Sequence, residues 1–163
     1  FEYDKILVEN LIIILFITLL LNLHGSLYLG DSGSYTIGLF TGVFLIDFAF
    51  NNNSISPYFI IVLLWYPCFE LLFSMIRRLL KKIKTYEPDT THLHHLIYKK
   101  IKTYFKIKND TICHLITMLT INFYNLLCFF LSKEYIYSSD FLLIIFLFNI
   151  FVYIISYNYL KKI

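Results

Sequence analysis

Residues 11–23 read LIIILFITLLLNL, and this run sits inside a longer apolar stretch, Ile6 to Leu23, whose one charge is Glu9. An uninterrupted run of that kind sharply limits what the chain can fold into. About 20 mainly apolar residues is the length of a helix that crosses the hydrocarbon core of a bilayer. Four further stretches have the same character, at about 35–50, 57–76, 111–131 and 141–160. None alternates apolar and polar residues with period two, as the strands of a membrane barrel do. Helices, which satisfy their own backbone hydrogen bonds in lipid, are the remaining choice. Composition agrees: 58% of the 163 residues are hydrophobic, only 15% are charged and the mean hydropathy is +0.68. Soluble domains carry about 25% charged residues. A disordered tail, a disulfide scaffold and a soluble enzyme are all excluded. The expected fold class is all-α, a polytopic integral membrane protein with about five transmembrane helices and one long cytoplasmic loop, 77–110.

The distribution of charge orients these spans. When loops are assigned alternately to the two sides, twelve of the fourteen Lys and Arg fall on one side: Arg77, Arg78, Lys81, Lys82, Lys84, Lys99, Lys100, Lys102, Lys106, Lys108, Lys161 and Lys162. Only Lys5 and Lys133 fall on the other. The positive-inside rule therefore places the turn at Asp31, the 77–110 loop and the C-terminus in the cytoplasm. Ser56-Pro57 reads as a helix cap followed by proline at the first helical position. Ser138, Ser139 or Asp140 is expected to cap the last span, and Pro67 to bend the third. Cys68, Cys113 and Cys128 are widely spaced in apolar surroundings and read as small buried residues.

Two polar segments fall on the cytoplasmic side. Leu29-Gly30-Asp31-Ser32-Gly33-Ser34 flanks a carboxylate with glycines that permit a tight turn and the close approach of a ligand. Ser34 is placed to cap the helix that follows, and a helix N-terminus suits a phosphate. A carboxylate beside it suits Mg²⁺, which takes oxygen ligands and phosphates. The bland alternative is an ordinary turn between two membrane helices. Ser34, Gly38 and Gly42 have the small-xxx-small spacing of close helix packing. The second segment is Pro88-Asp89-Thr90-Thr91-His92-Leu93-His94-His95. Its histidines can serve as acids, bases, phosphate donors or metal ligands. Their spacing does not match the usual zinc patterns. Glu70 lies seven positions before Arg77, on one helix face with Ser74 and Arg77. An intramembrane carboxylate is a functional candidate, and the alternative is pairing with Arg77 or Arg78.

Taken together, the GDSGS turn at Gly30–Ser34, the Arg77-Arg78 pair and the PDTTHLHH segment at 88–95 resemble, in order and spacing, the signatures of the polyprenyl-phosphate N-acetylhexosamine-1-phosphate transferases, the WecA type more than the MraY type. The resemblance implies transfer of a sugar-1-phosphate from a UDP-sugar to undecaprenyl phosphate, with release of UMP, at the cytoplasmic face of the bacterial inner membrane, where it initiates cell-envelope glycan synthesis. It implies catalytic roles for Asp31, His92, His94 and His95, with Asp31 holding Mg²⁺ or, in its place, Mn²⁺. It implies substrate binding by Gly30, Ser32, Gly33, Ser34, Asp89, Arg77 and Arg78. The implied partners are the UDP-sugar, the polyprenyl phosphate and the membrane, with no nucleic acid; a homodimer would suit the Ser34/Gly38/Gly42 face. Thr90 stands where the family has arginine, and Glu70 where it has aspartate. The family's adjacent Asp-Asp pair and Asn/Asp-rich motif, from its first half, have no counterpart here. With Phe1 rather than Met at the start, the chain is expected to be the C-terminal half of such an enzyme and inactive alone. Competing readings are a non-catalytic membrane scaffold and a histidine-based metal transporter.

Overall fold

The computed structural model describes residues 2–24, 26–82 and 89–162, which leaves Lys84 and Pro88 of the 77–110 loop outside the described residues. The described residues contain helices and no strand. In chain order the helices are α1 (Glu2–His24), α2 (Gly30–Asn51), α3 (Pro57–Leu63), α4 (Trp65–Leu80), α5 (Leu93–Tyr104), α6 (Asp110–Glu134) and α7 (Ser139–Lys161). Four of them, α1, α2, α6 and α7, are long and apolar enough to cross a membrane, and the α3–α4 pair makes up to five. The protein is an all-α, multi-pass membrane protein.

The chain divides into two compact units, Phe1–Asn51 and Asn52–Ile163. In the first, α1 ends where the Leu21 carbonyl accepts the N–H groups of Ser26 (3.0 Å) and Leu27 (3.3 Å). Asn22 Nδ2 donates to the Leu27 carbonyl at 3.1 Å and closes the turn. Gly30 then enters α2 with φ +62°. In that left-handed region an L side chain is strained, and this is why glycine stands there. The second span therefore starts at Gly30 rather than near Tyr35. Ser34 is correspondingly not its cap. It lies inside the first turns and its hydroxyl donates to the Asp31 carbonyl at 2.9 Å.

In the second unit the expected third span is two helices bent by 70° at Leu64. The cause lies three residues on. Pro67 has no N–H, and its ring collides with the carbonyl four residues earlier, that of Leu63, so α3 stops there. Ser56 caps α3 as its sequence suggests, accepting the Tyr58 N–H at 3.3 Å with Pro57 next to it. Ser138 occupies the α7 cap position without a side-chain cap bond, while Ser139 Oγ meets Ser56 Oγ at 2.9 Å. One apolar cluster joins Phe59, Val62 and Leu142, and a second joins Trp65, Leu93, Leu96, Tyr153 and Tyr157. Between membrane helices such packing acts through van der Waals contact and buried polar bonds. Tyr124 Oη donates to Asn149 Oδ1 at 2.7 Å as one such bond. Inside the 77–110 loop lies α5, amphipathic, with Leu93, Leu96 and Ile101 buried and Lys99 exposed.

A buried polar network that holds the histidine loop

Glu70, Ser74 and Arg77 recur at helical spacing along α4, and all three are buried. Opposite them, α7 contributes Tyr153 and Tyr157, also buried. The segment from Asp89 to His92 is tied to both helices. Asp89 Oδ1 accepts the Thr91 N–H at 2.9 Å and the Thr91 hydroxyl at 2.7 Å. Its Oδ2 accepts the Ser74 hydroxyl at 2.8 Å and forms an ion pair with Arg77 Nη2. Burial works against ionisation of Asp89, but the Thr91 and Ser74 hydrogen bonds and the Arg77 charge outweigh it and hold the carboxyl well below the usual carboxylate range. Arg77 Nη1 donates to the Tyr157 hydroxyl at 2.6 Å and to the Thr91 carbonyl. The guanidinium also lies 5.5 Å from the centre of the Tyr157 ring.

Glu70 does not pair with either arginine through any of these bonds. Its Oε1 lies 3.0 Å from His92 Nδ1 and accepts the Leu93 N–H at 3.2 Å, and its Oε2 accepts the Tyr153 hydroxyl at 2.7 Å. His92 is the cap residue of α5, its ring between Glu70 and Asp89, with Nε2 3.7 Å from Asp89 Oδ2. From that anchor His94 and His95 extend outward. Their ring centres are 4.2 Å apart, and His92 and His94 stack at 5.5 Å. Among the described residues neither His94 nor His95 has a side-chain hydrogen bond; His94 is exposed and His95 half-buried. Burial, then the neighbouring histidines, push both below the ordinary histidine value. Both rings are therefore neutral near pH 7, each with one N–H to donate and one nitrogen to accept.

Asp31 belongs to the first unit. It is exposed in the first turn of α2, where the free N–H groups of the helix favour a negative charge. Ser32 and Ser34 are exposed with it, and a Cβ on Gly33 would come 2.8 Å from Leu29 Cγ. Arg78 is half-buried and has partners of its own. Among the described residues no three His, Cys, Asp or Glu side chains converge as a metal site. A single exposed carboxylate is a fitting share for Mg²⁺, which keeps waters and takes the rest of its shell from substrate phosphates.

Tyr153, Tyr157 and Thr91 were not singled out by the sequence reading. The signal for the tyrosines is present: Asn149, Tyr153 and Tyr157 recur every four residues along a mainly apolar helix, and such a stripe faces one neighbour.

Fold and site define a multi-pass membrane protein whose histidine-bearing loop is clamped to two helices by a buried polar network. Over about half its length the chain is similar to curated proteins named undecaprenyl-phosphate alpha-N-acetylglucosaminyl 1-phosphate transferase. It is 32% identical to that of Thermotoga maritima over 76 residues, 47% of this chain and 25% of the relative. It is 36% identical to that of Yersinia pestis over 92 residues, 53% of this chain and 25% of the relative. It is 33% identical to that of Salmonella typhi over 76 residues, 45% of this chain and 20% of the relative. The match thus spans a quarter or less of these relatives' own length, and they carry the name of the family that the Gly30–Ser34 and 88–95 motifs resemble. No family model and no solved structure matches the chain.

Proposed function

We propose that the chain carries part of the active site of a sugar-1-phosphate transferase that moves an N-acetylhexosamine 1-phosphate from a UDP-sugar to a polyprenyl phosphate. In this reaction an oxygen of the acceptor phosphate bonds to the sugar-bearing phosphorus. The bond from that phosphorus to the bridging oxygen breaks, and UMP leaves with the bridging oxygen. The observation that carries the reading is the clamped histidine loop, which presents the neutral rings of His94 and His95 on a preorganised support, in a chain similar to transferases of that name. Rigid donors placed before the reaction are worth more than donors that must reorganise during it.

The roles divide between binding and support. His94 and His95 are the groups free to donate to the diphosphate. Ser32, Ser34 and the N–H groups at the start of α2 face an anionic group, with Gly30 and Gly33 shaping the approach. Asp31 would hold Mg²⁺, or Mn²⁺ in its place, which when bound neutralises phosphate charge. Arg77 and Asp89 support the loop, and Arg78 adds positive charge beside it. The twelve-to-two charge split supports a cytoplasmic position for the basic loop and the motif-bearing turn, which for such a transferase would be the inner face of a bacterial inner membrane.

The test is UMP release from UDP-N-acetylglucosamine, with undecaprenyl phosphate as acceptor, by the protein expressed from its complete native reading frame. We expect Mg²⁺-dependent release that falls by about 100-fold or more in Asp31→Asn. Undiminished release in that variant refutes the role of Asp31.

A further inference from the structure

Glu70, inside α4, meets three hydrogen-bonding groups, and their pattern carries information about His92. The three donors come from three places: the Leu93 N–H at the start of α5, the His92 ring just before it and the Tyr153 hydroxyl on α7. The N–H groups of the first helical residues lack intrahelical acceptors, and a cap side chain usually serves the second or third of them, which leaves the first to find a partner elsewhere. Here the cap residue, His92, makes no such bond with its own side chain. Glu70 supplies the acceptor from another helix.

The same oxygen, Oε1, meets both the Leu93 N–H and His92 Nδ1. An Oε1 that accepts a backbone N–H is poorly placed to carry a proton of its own. The proton between Oε1 and Nδ1 therefore belongs to the imidazole, which makes Nδ1 the donor. The other ring nitrogen, Nε2, is left as the open position. It stands 3.7 Å from Asp89 Oδ2, too far for a hydrogen bond, and that oxygen already serves Ser74 and Arg77. The titratable groups against the ring are Glu70 on α4, Asp89 before it, and His94 and His95 after it; Arg77 and Tyr157 join the network through Asp89, and Tyr153 through Glu70.

We infer that Glu70 is a positioning residue that fixes His92 in the tautomer with its proton on Nδ1 and, through the same carboxylate, fixes the start of α5. His92 Nε2 and the rings of His94 and His95 then keep one direction. Glu70 touches no reacting group itself; it acts through His92, as a carboxylate behind a metal-bound histidine sets that ring's tautomer. The consequence for catalysis rests on the transferase reading, whereas the tautomer does not.

The experiment is ¹⁵N NMR of histidine-labelled protein in lipid nanodiscs at about pH 8, above the ordinary histidine range. The His92 signals are assigned by their loss in His92→Gln. In the unsubstituted protein we expect the proton on Nδ1 and a bare Nε2. In Glu70→Leu we expect His92 to revert to the Nε2–H tautomer that free histidine favours. Glu70→Gln keeps an oxygen for Nδ1–H and the Leu93 N–H, and should retain the Nδ1–H form. An unprotonated Nδ1 in the unsubstituted protein overturns the inference, and so does an unchanged tautomer in Glu70→Leu. Should Glu70→Leu fail to fold, the unsubstituted protein and Glu70→Gln still decide. Neither a nucleotide sugar nor a lipid acceptor is needed, so a failed transferase assay leaves this result standing.

Discussion

Arg77 and Asp89 form the buried ion pair at the centre of the loop support, and their side chains are only 9% and 10% exposed. Removing one partner leaves the other charged and unpaired, which costs about 3–5 kcal/mol. Arg77→Leu should therefore destabilise the second unit by that order, read as a lowered unfolding midpoint in detergent. The titration of Asp89 has a definite sign. Its pKa is depressed in the folded protein, so its contribution is present above the ordinary carboxylate value of about 3.9 and is lost as pH falls through the folded value. His94 and His95 are also depressed, so acid protonates the unfolded chain first. Stability should therefore be lost progressively as pH drops below about 6.5, while the rings of the folded protein stay neutral to lower pH and protonate only as pH falls through their depressed values. UMP release should accordingly fall with an apparent pKa below the ordinary histidine value of about 6.5, and a fall centred at or above that value would contradict the neutral rings of His94 and His95. The face formed by Glu70, Ser74 and Arg77 was legible from spacing alone. Its partners were not, because Glu70 reaching His92 rather than an arginine depends on how the 77–110 loop folds back across α4. A hydropathy pattern carries no record of that path.

Helices α2 and α4 show how local chemistry overrides apolar run length. The apolar pattern of the second span suggested a start near Tyr35, but Gly30, with φ +62°, turns the chain directly into α2 and places Asp31 in its first turn. Gly30→Ala should cost about 1–2 kcal/mol and loosen that turn, which hydrogen exchange at the start of α2 would report. Equal exchange in the variant would show that the left-handed conformation is not needed. Pro67 was legible as a bend, and the break falls at Leu64 because the proline ring collides with the Leu63 carbonyl, four positions back, where α3 ends. The helix inside the loop, α5, was missed as an element. Twelve residues with two histidines and several lysines look like a solvated loop until Leu93, Leu96 and Ile101 have a surface to bury against.

Across the whole molecule the membrane class was readable from five apolar runs, and the described helices agree with it. The charge split makes a topological prediction. A single cysteine introduced at Asn53, in a protein otherwise free of cysteine, should react with an impermeant thiol reagent from the outside of intact cells, and one at Lys81 only after the membrane is opened. Labelling of both from one side would break the assignment of the Asp31 turn and the histidine loop to a common face. Reading the catalytic class from motifs was possible because Gly30–Ser34 and 88–95 are short and local. Asp31 lies in one compact unit and the histidines in the other, and their cooperation is a matter for chemistry. The most direct test is therefore UMP release by the complete native protein with undecaprenyl phosphate and UDP-N-acetylglucosamine, comparing the unsubstituted form with Asp31→Asn and with His94→Ala/His95→Ala. The account predicts Mg²⁺-dependent release in the first and a loss of about 100-fold or more in each of the others. No release by the unsubstituted protein, or full release by either variant, would contradict it.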